Sequence, residues 1–235
     1  MQLTVILAFL LLSIPLIGQQ EPSRSVNFYS LEKEAALGKS LADDFRRRTP
    51  SVDDAALRAY VSSVAARLNE FARSPFPLMI EISGGSDSKL EAVGLPGGYL
   101  FVPLRLLAGV QNEAELAAPL AHAIAHIATR ATTRQATRGK IDKLGTVPLI
   151  FTGGWAHDHA TLIPLGFREF QEEQEAQANR LAAKWMAQTG LADLTIQSWE
   201  FVAAHERARA ILIAQQTVPG PPSLRKQRLY PKPLT

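Results

Sequence analysis

At 235 residues the chain is long enough for one domain with its own core and too short to demand two. Lys and Arg number 25 against 22 Asp and Glu, a net charge of +3, and the basic clusters at Arg46 to Arg48 and from Arg225 to Lys232 read as a solvated helix end and a loose tail. Neither is the concentrated basic stripe with interleaved aromatics that a nucleic-acid face needs, so no nucleic-acid partner is expected. The absence of cysteine excludes a disulfide framework and a lipid-modified cysteine.

The first twenty residues, MQLTVILAFLLLSIPLIGQQ, carry an uncharged apolar run from Leu3 to Ile17. It reads as a secretory signal with a weak n-region, cut near Gly18, which makes the protein exported, periplasmic or extracellular. The run is short for a membrane span, and an uncut N-terminal anchor giving membrane association is the alternative.

A polar spacer leads to a domain expected over residues 28–216. Ser30 caps a first helix with Leu37, Leu41 and Phe45 at helical spacing. A second helix follows from SVDDAALRAY onward, with Leu57, Tyr60, Val61, Val64, Leu68 and Phe71 on one face. Pro75 and Pro77 end that pair, LMIEI alternates as a strand, and LPGGYLFVP gives a second short strand entered through Gly97 and Gly98.

The next helix starts at Asn112 as cap, holds Glu113 and Glu115 in the first turn where the dipole favours them, and is expected to run to about Gly139. It is apolar nearly all round through His126, as a core helix is. The segment from Ile141 to Pro164 is glycine-punctuated and has no clear period. A helix from Phe167 follows, with Phe167, Phe170, Leu181 and Trp185 inward and Gly190 as its stop. A last helix from about Thr195 to Gln216 leads into a Pro-rich basic tail over 217–235. The fold class expected is α+β, mostly helical, with a small sheet, and no internal repeat is visible.

His122 and His126 stand four residues apart on the core helix, so both imidazoles can reach one metal ion. Zinc wants a third protein ligand from a separate element, and the Phe167 helix offers Glu169, Glu172, Glu173 and Glu175. The first three read as a wet face; Glu175 lies one turn before Asn179 in an Ala-rich stretch able to pack on the histidine helix, although composition alone does not choose it. His157, Asp158 and His159 in WAHDHA form a competing cluster, weighed against a polar loop because no third partner is specified.

The stretch EAVGLPGGYLFVPLRLLAGVQNEAELAAPLAHAIAHIATRATTRQATR, with EAQANRLAAKWMAQTG, resembles peptidase family forty-eight, zinc endopeptidases that include the HtpX and Oma proteins and the prenyl-protein endoproteases. The similarity runs from about Tyr29 into the tail. It implies a zincin-like domain in which His122, His126 and Glu175 bind Zn2+, with Asn179 where the family has an aspartate. It also implies that the GGYLFV strand, at Gly98, Tyr99 and Leu100, is the edge along which a peptide or unfolded protein segment pairs.

The same resemblance exposes what is missing. The family's general-base glutamate follows the first histidine, and here that position is Ala123, so no catalytic residue is intact; general acid–base help is worth about 10²- to 10⁴-fold. Pro119 sits inside the histidine helix, Ala131 and Gly220 replace histidines that relatives carry, and Glu91 and Val93 stand where the family favours Asn and Phe. A single engineered change at Ala123 would not explain these together; natural degeneration of the site does. Three readings follow: an impaired peptidase-fold protein acting through zinc and polypeptide binding, a slow genuine endopeptidase in extracytoplasmic protein quality control with Glu172 or Glu173 as substitute base, and a metal-free structural protein.

Overall fold

The computed structural model describes residues 27–84, 90–142, 165–195 and 197–217. The apolar N-terminal segment, the WAHDHA cluster and the Pro-rich tail lie outside these residues. No helix among the described residues is long and apolar enough to cross a membrane.

Helix α1 (Leu31–Arg48) starts at Ser30, whose hydroxyl accepts from the Lys33 amide, and α2 (Ala55–Ala72) starts at Asp54, whose carboxylate accepts from Leu57. On α2 Leu57, Tyr60, Val61, Val64 and Leu68 are buried as their spacing predicts, but Phe71 is 40% exposed. It falls on the last turn, just before Arg73 leaves the helix in the left-handed conformation, and lies past the end of the core. On α1 the buried line is Glu34, Gly38 and Ala42 rather than the expected Leu37, Leu41 and Phe45, of which Leu41 and Phe45 pack at the side. Close approach sets that rotation: a Cβ at Gly38 would come within 1.8 Å of the Pro96 carbonyl oxygen.

Among the described residues the sheet has three strands, β1 (Met79–Ser83), β2 (Val93–Gly94) and β3 (Tyr99–Pro103), in the order β1-β3-β2. The pair β1 and β3 is parallel, and β2 and β3 are antiparallel. A single 3-10 turn over Pro96–Gly98 folds β2 back onto β3, with Gly97 and Gly98 at φ 76 and 94, values only glycine adopts at little cost. This corrects the expectation that Gly98, Tyr99 and Leu100 form an edge. Leu100 pairs with Ile80 on one side and Gly94 on the other, and the Tyr99 carbonyl accepts from the Leu95 amide. β3 is the central strand; among the described residues no strand pairs with the outer side of β2.

After a short helix α3 (Leu104–Gly109), which the sequence reading missed, comes α4 (Glu113–Ala128). Asn112 accepts from the Glu115 amide at 2.9 Å while the Glu115 carboxylate takes the Gln111 amide at 2.7 Å and the Asn112 side-chain amide at 3.2 Å, a reciprocal cap. Pro119 removes one N–H from the ladder, yet the helix runs through it.

The helix does not continue to Gly139. Arg130 turns left-handed at φ 56, and a separate helix α5 (Ala131–Asp142) begins. That conformation is held by the fully buried Glu34 carboxylate, 2.6 Å from Arg130 Nε, and by the Tyr29 carbonyl, 2.6 Å from Arg130 Nη2. Thr133 Oγ1 also donates to Glu34. A contact from α1, distant in sequence, therefore breaks what local periodicity reads as one helix.

Two more helices follow among the described residues. α6 (Leu165–Thr189) ends before Gly190 at φ 73, as expected, and α7 (Trp199–Thr217) starts later than Thr195. α4 and α6 share the most extensive contact of any two elements. Small residues allow it: Ala117, Ala121 and Ala125 on α4 are fully buried, and Ala178 and Ala182 on α6 nearly so. The core joins these helices to α2, α7 and the inner face of the sheet, while Ala42, Leu95 and Phe101 form a smaller cluster under α1.

Candidate metal centre

On α4 the imidazoles of His122 and His126 lie one turn apart, with ring centroids 4.7 Å apart and their planes at 75°. Their Nε2 atoms are 3.0 Å from each other. From α6, Glu175 Oε2 reaches to 3.3 Å from His122 Nε2 and 3.5 Å from His126 Nε2. The close α4–α6 seam is what brings a carboxylate nearly fifty residues later onto the two histidines.

This triangle fits a metal ion. Tetrahedral bonds of about 2.0–2.1 Å place neighbouring ligand atoms about 3.3 Å apart, and the three separations bracket that value. Among the described residues these three are the one group of His, Asp and Glu side chains so arranged. Two imidazoles and one carboxylate form the donor set of a catalytic zinc site with room left for water.

Asn179, one turn beyond Glu175, has its Oδ1 2.9 Å from His122 Nδ1. A carbonyl oxygen can only accept, so Nδ1 carries the proton and the Nε2 lone pair is left for the metal. Asn179 thus performs the orienting half of a carboxylate partner's role, without the negative charge that strengthens the ligand.

The electrostatics follow from the same contacts. Hydrogen bonds from His122 and His126 push the Glu175 carboxyl down to about 2, against the opposing effect of burial. His122 is raised, first by its hydrogen bond to Glu175, then by the Glu175 charge, the Asn179 contact and the charge of Glu91, with burial acting the other way.

Ala123, between the ligands on α4, presents a methyl group at 2% exposure and offers no acid or base. The alternative bases Glu172 and Glu173 are exposed on α6. Glu91, marked in the sequence as a departure before LPGG, lies two residues before β2, the strand that lies on α4 beside Ala123.

A histidine helix, a glutamate from a second helix and a small sheet whose outer strand lies on the histidine helix define the zincin-like class of metallopeptidases. The chain belongs to peptidase family M48, whose sequence model matches residues 55–225. No individual curated protein matches it.

Proposed function

We propose that this chain is an exported, zinc-binding member of the family whose hydrolysis is impaired and which acts by holding a peptide or an unfolded protein segment. The observation that carries the reading is the pairing of a complete ligand triangle, with separations of 3.0, 3.3 and 3.5 Å, with a methyl group at Ala123.

In this reading His122 and His126 through Nε2 and Glu175 through Oε2 hold the ion, and Asn179 keeps His122 in the competent tautomer. Zinc there would supply Lewis-acid polarisation of a carbonyl and acidify water. Ala123 neither removes a proton from water nor returns one to a leaving amine, so the helix contributes binding without proton transfer. The surface for the polypeptide is the outer side of β2, where an extended chain can add as a further strand. Export rests on the apolar run from Leu3 to Ile17.

Elemental analysis of the purified protein tests this beside Glu175→Ala and Ala123→Glu variants, with casein digestion on the same samples. Near-stoichiometric zinc that falls in Glu175→Ala, and digestion that becomes efficient only with Ala123→Glu, are expected. Absence of zinc from every variant would reduce the histidine helix to a relic of the fold.

A further inference from the structure

The seam that carries the metal ligands continues beyond them. α4 and α6 run antiparallel along it: His126 meets Glu175, His122 meets Asn179, and one turn further on Ala118 of α4 and Ala183 of α6 line a groove of about 370 Å³. Four residues of helix rise about 6 Å, and Ala118 and His122 stand at i and i+4, so the groove lies beside the ligands on the same outer face of the seam. Ala114 on α4 and Met186 on α6 extend its walls, and the turn after α6 brings Ala192 and Leu194 to it.

That turn is tied down on both sides. Leu191 is buried, with its amide donating to the Met186 carbonyl, and Gln197 Nε2 donates to the Gln111 carbonyl just before α4 at 2.8 Å. Leu194 is nonetheless 65% exposed, so an apolar side chain is held at the groove without a cover among the described residues. Glu115, the charged member of the lining, spends its carboxylate on the Gln111 amide and the Asn112 side chain. Ala118 and Ala183, nearest the ligands, are both exposed and leave space that a larger side chain would fill.

We propose that this groove is a subsite for one large apolar side chain, of leucine or phenylalanine size, belonging to the polypeptide held at the metal. The inference rests on the zinc-site reading above. A distance of about 6 Å is the span of one to two residues of extended chain, which places that side chain next to the residue whose carbonyl lies at the ion. β2 lies on the other flank of the ligands, against Ala123 and Ile127, so a chain added to it presents alternate side chains across them towards α6. An apolar anchor selects among polypeptides without any proton transfer, as suits a protein that binds more than it cleaves.

The test uses the full zinc-loaded chain with Ala118→Leu, Ala183→Leu and, as control on the exposed side of α7, Ala203→Leu. Zinc content and calorimetric affinity for acetohydroxamic acid and 3-phenylpropanohydroxamic acid are read on each. Both probes chelate the metal through the same group, and the second carries a phenyl ring on a two-carbon arm, so the ratio of their affinities reports the groove alone. The parent protein is expected to prefer the phenyl compound by about tenfold, as for partial burial of one aromatic ring. Ala118→Leu and Ala183→Leu should keep zinc and acetohydroxamate affinity while the ratio falls towards one, and Ala203→Leu should match the parent. Equal affinity for the two probes in the zinc-loaded parent, or an undiminished preference in either groove variant, overturns the proposal and leaves the metal site standing. An equal loss in Ala203→Leu overturns it too, and loss of zinc from both groove variants makes the alanines supports of the metal centre instead of a subsite. Absence of zinc from the parent protein overturns the metal reading and this one with it.

Discussion

Gly94 on β2 and Ala123 on α4 are in contact through backbone: the position of a Cβ at residue 94 falls 2.5 Å from the Ala123 carbonyl oxygen, closer than real side chains come. The outer strand of the sheet is thereby fixed against the turn of helix that carries the metal ligands. Gly94→Ala should push the two apart, with a cost of about 1–3 kcal/mol as for other overpacked sites. Urea denaturation of the zinc-free protein measures this; a loss under about 0.5 kcal/mol would mean that the strand moves away freely.

Asn179 accepts from His122 Nδ1 but brings no charge. Asn179→Asp should tighten zinc by about 10- to 100-fold, and Asn179→Leu, which leaves Nδ1–H without its acceptor, should weaken it. Competition with a chromophoric chelator gives both affinities. Equal affinity in all three proteins would show that the α6 residue does not control the imidazole.

The site should respond to pH with opposite signs in its two states. In the metal-free protein Glu175, lowered from 4.5 to about 2, favours the folded state above its unfolded value, and that contribution fades as pH falls towards 2. His122, raised from 6.5, favours the folded state below 6.5 and loses that contribution as pH rises through its folded value. The ion pair therefore helps most between 4.5 and 6.5. Zinc needs neutral imidazoles, so the rise in Tm produced by zinc should grow from about pH 6 to about pH 8. Thermal melts with and without zinc decide it, and a rise that shrinks over this range would place the metal elsewhere.

Glu34 is a buried carboxylate whose partner Arg130 holds the break between α4 and α5. Glu34→Ala leaves the guanidinium without its counter-ion and should destabilise the protein by about 3 kcal/mol, at the lower end for broken buried pairs because Arg130 retains some exposure. Arg130→Gly should cost less than Arg130→Ala, because glycine adopts φ 56 without strain. Chemical denaturation of the three variants tests the order.

Much of the site was legible in the sequence because its information is local. The four-residue spacing of His122 and His126 puts both on one helical face, the Asn112 cap and the Gly190 stop mark helix ends, and Ala123 declares a missing acid. Glu175 could be picked from its neighbours only through the resemblance to the family, since Glu169, Glu172 and Glu173 share its composition and its helix. What local pattern could not determine were events set by partners far along the chain. Glu34, carried by α1, ends α4 at Arg130; the glycine turn at Gly97 and Gly98 folds β2 outside β3 and moves the open edge away from Tyr99; and the α4–α6 seam sets the 3.3 Å reach of Glu175 to His122. Periodicity records which face of an element is apolar, and it carries no record of which element will cover that face or which carboxylate will end up beside which imidazole; only the packed tertiary structure decides that.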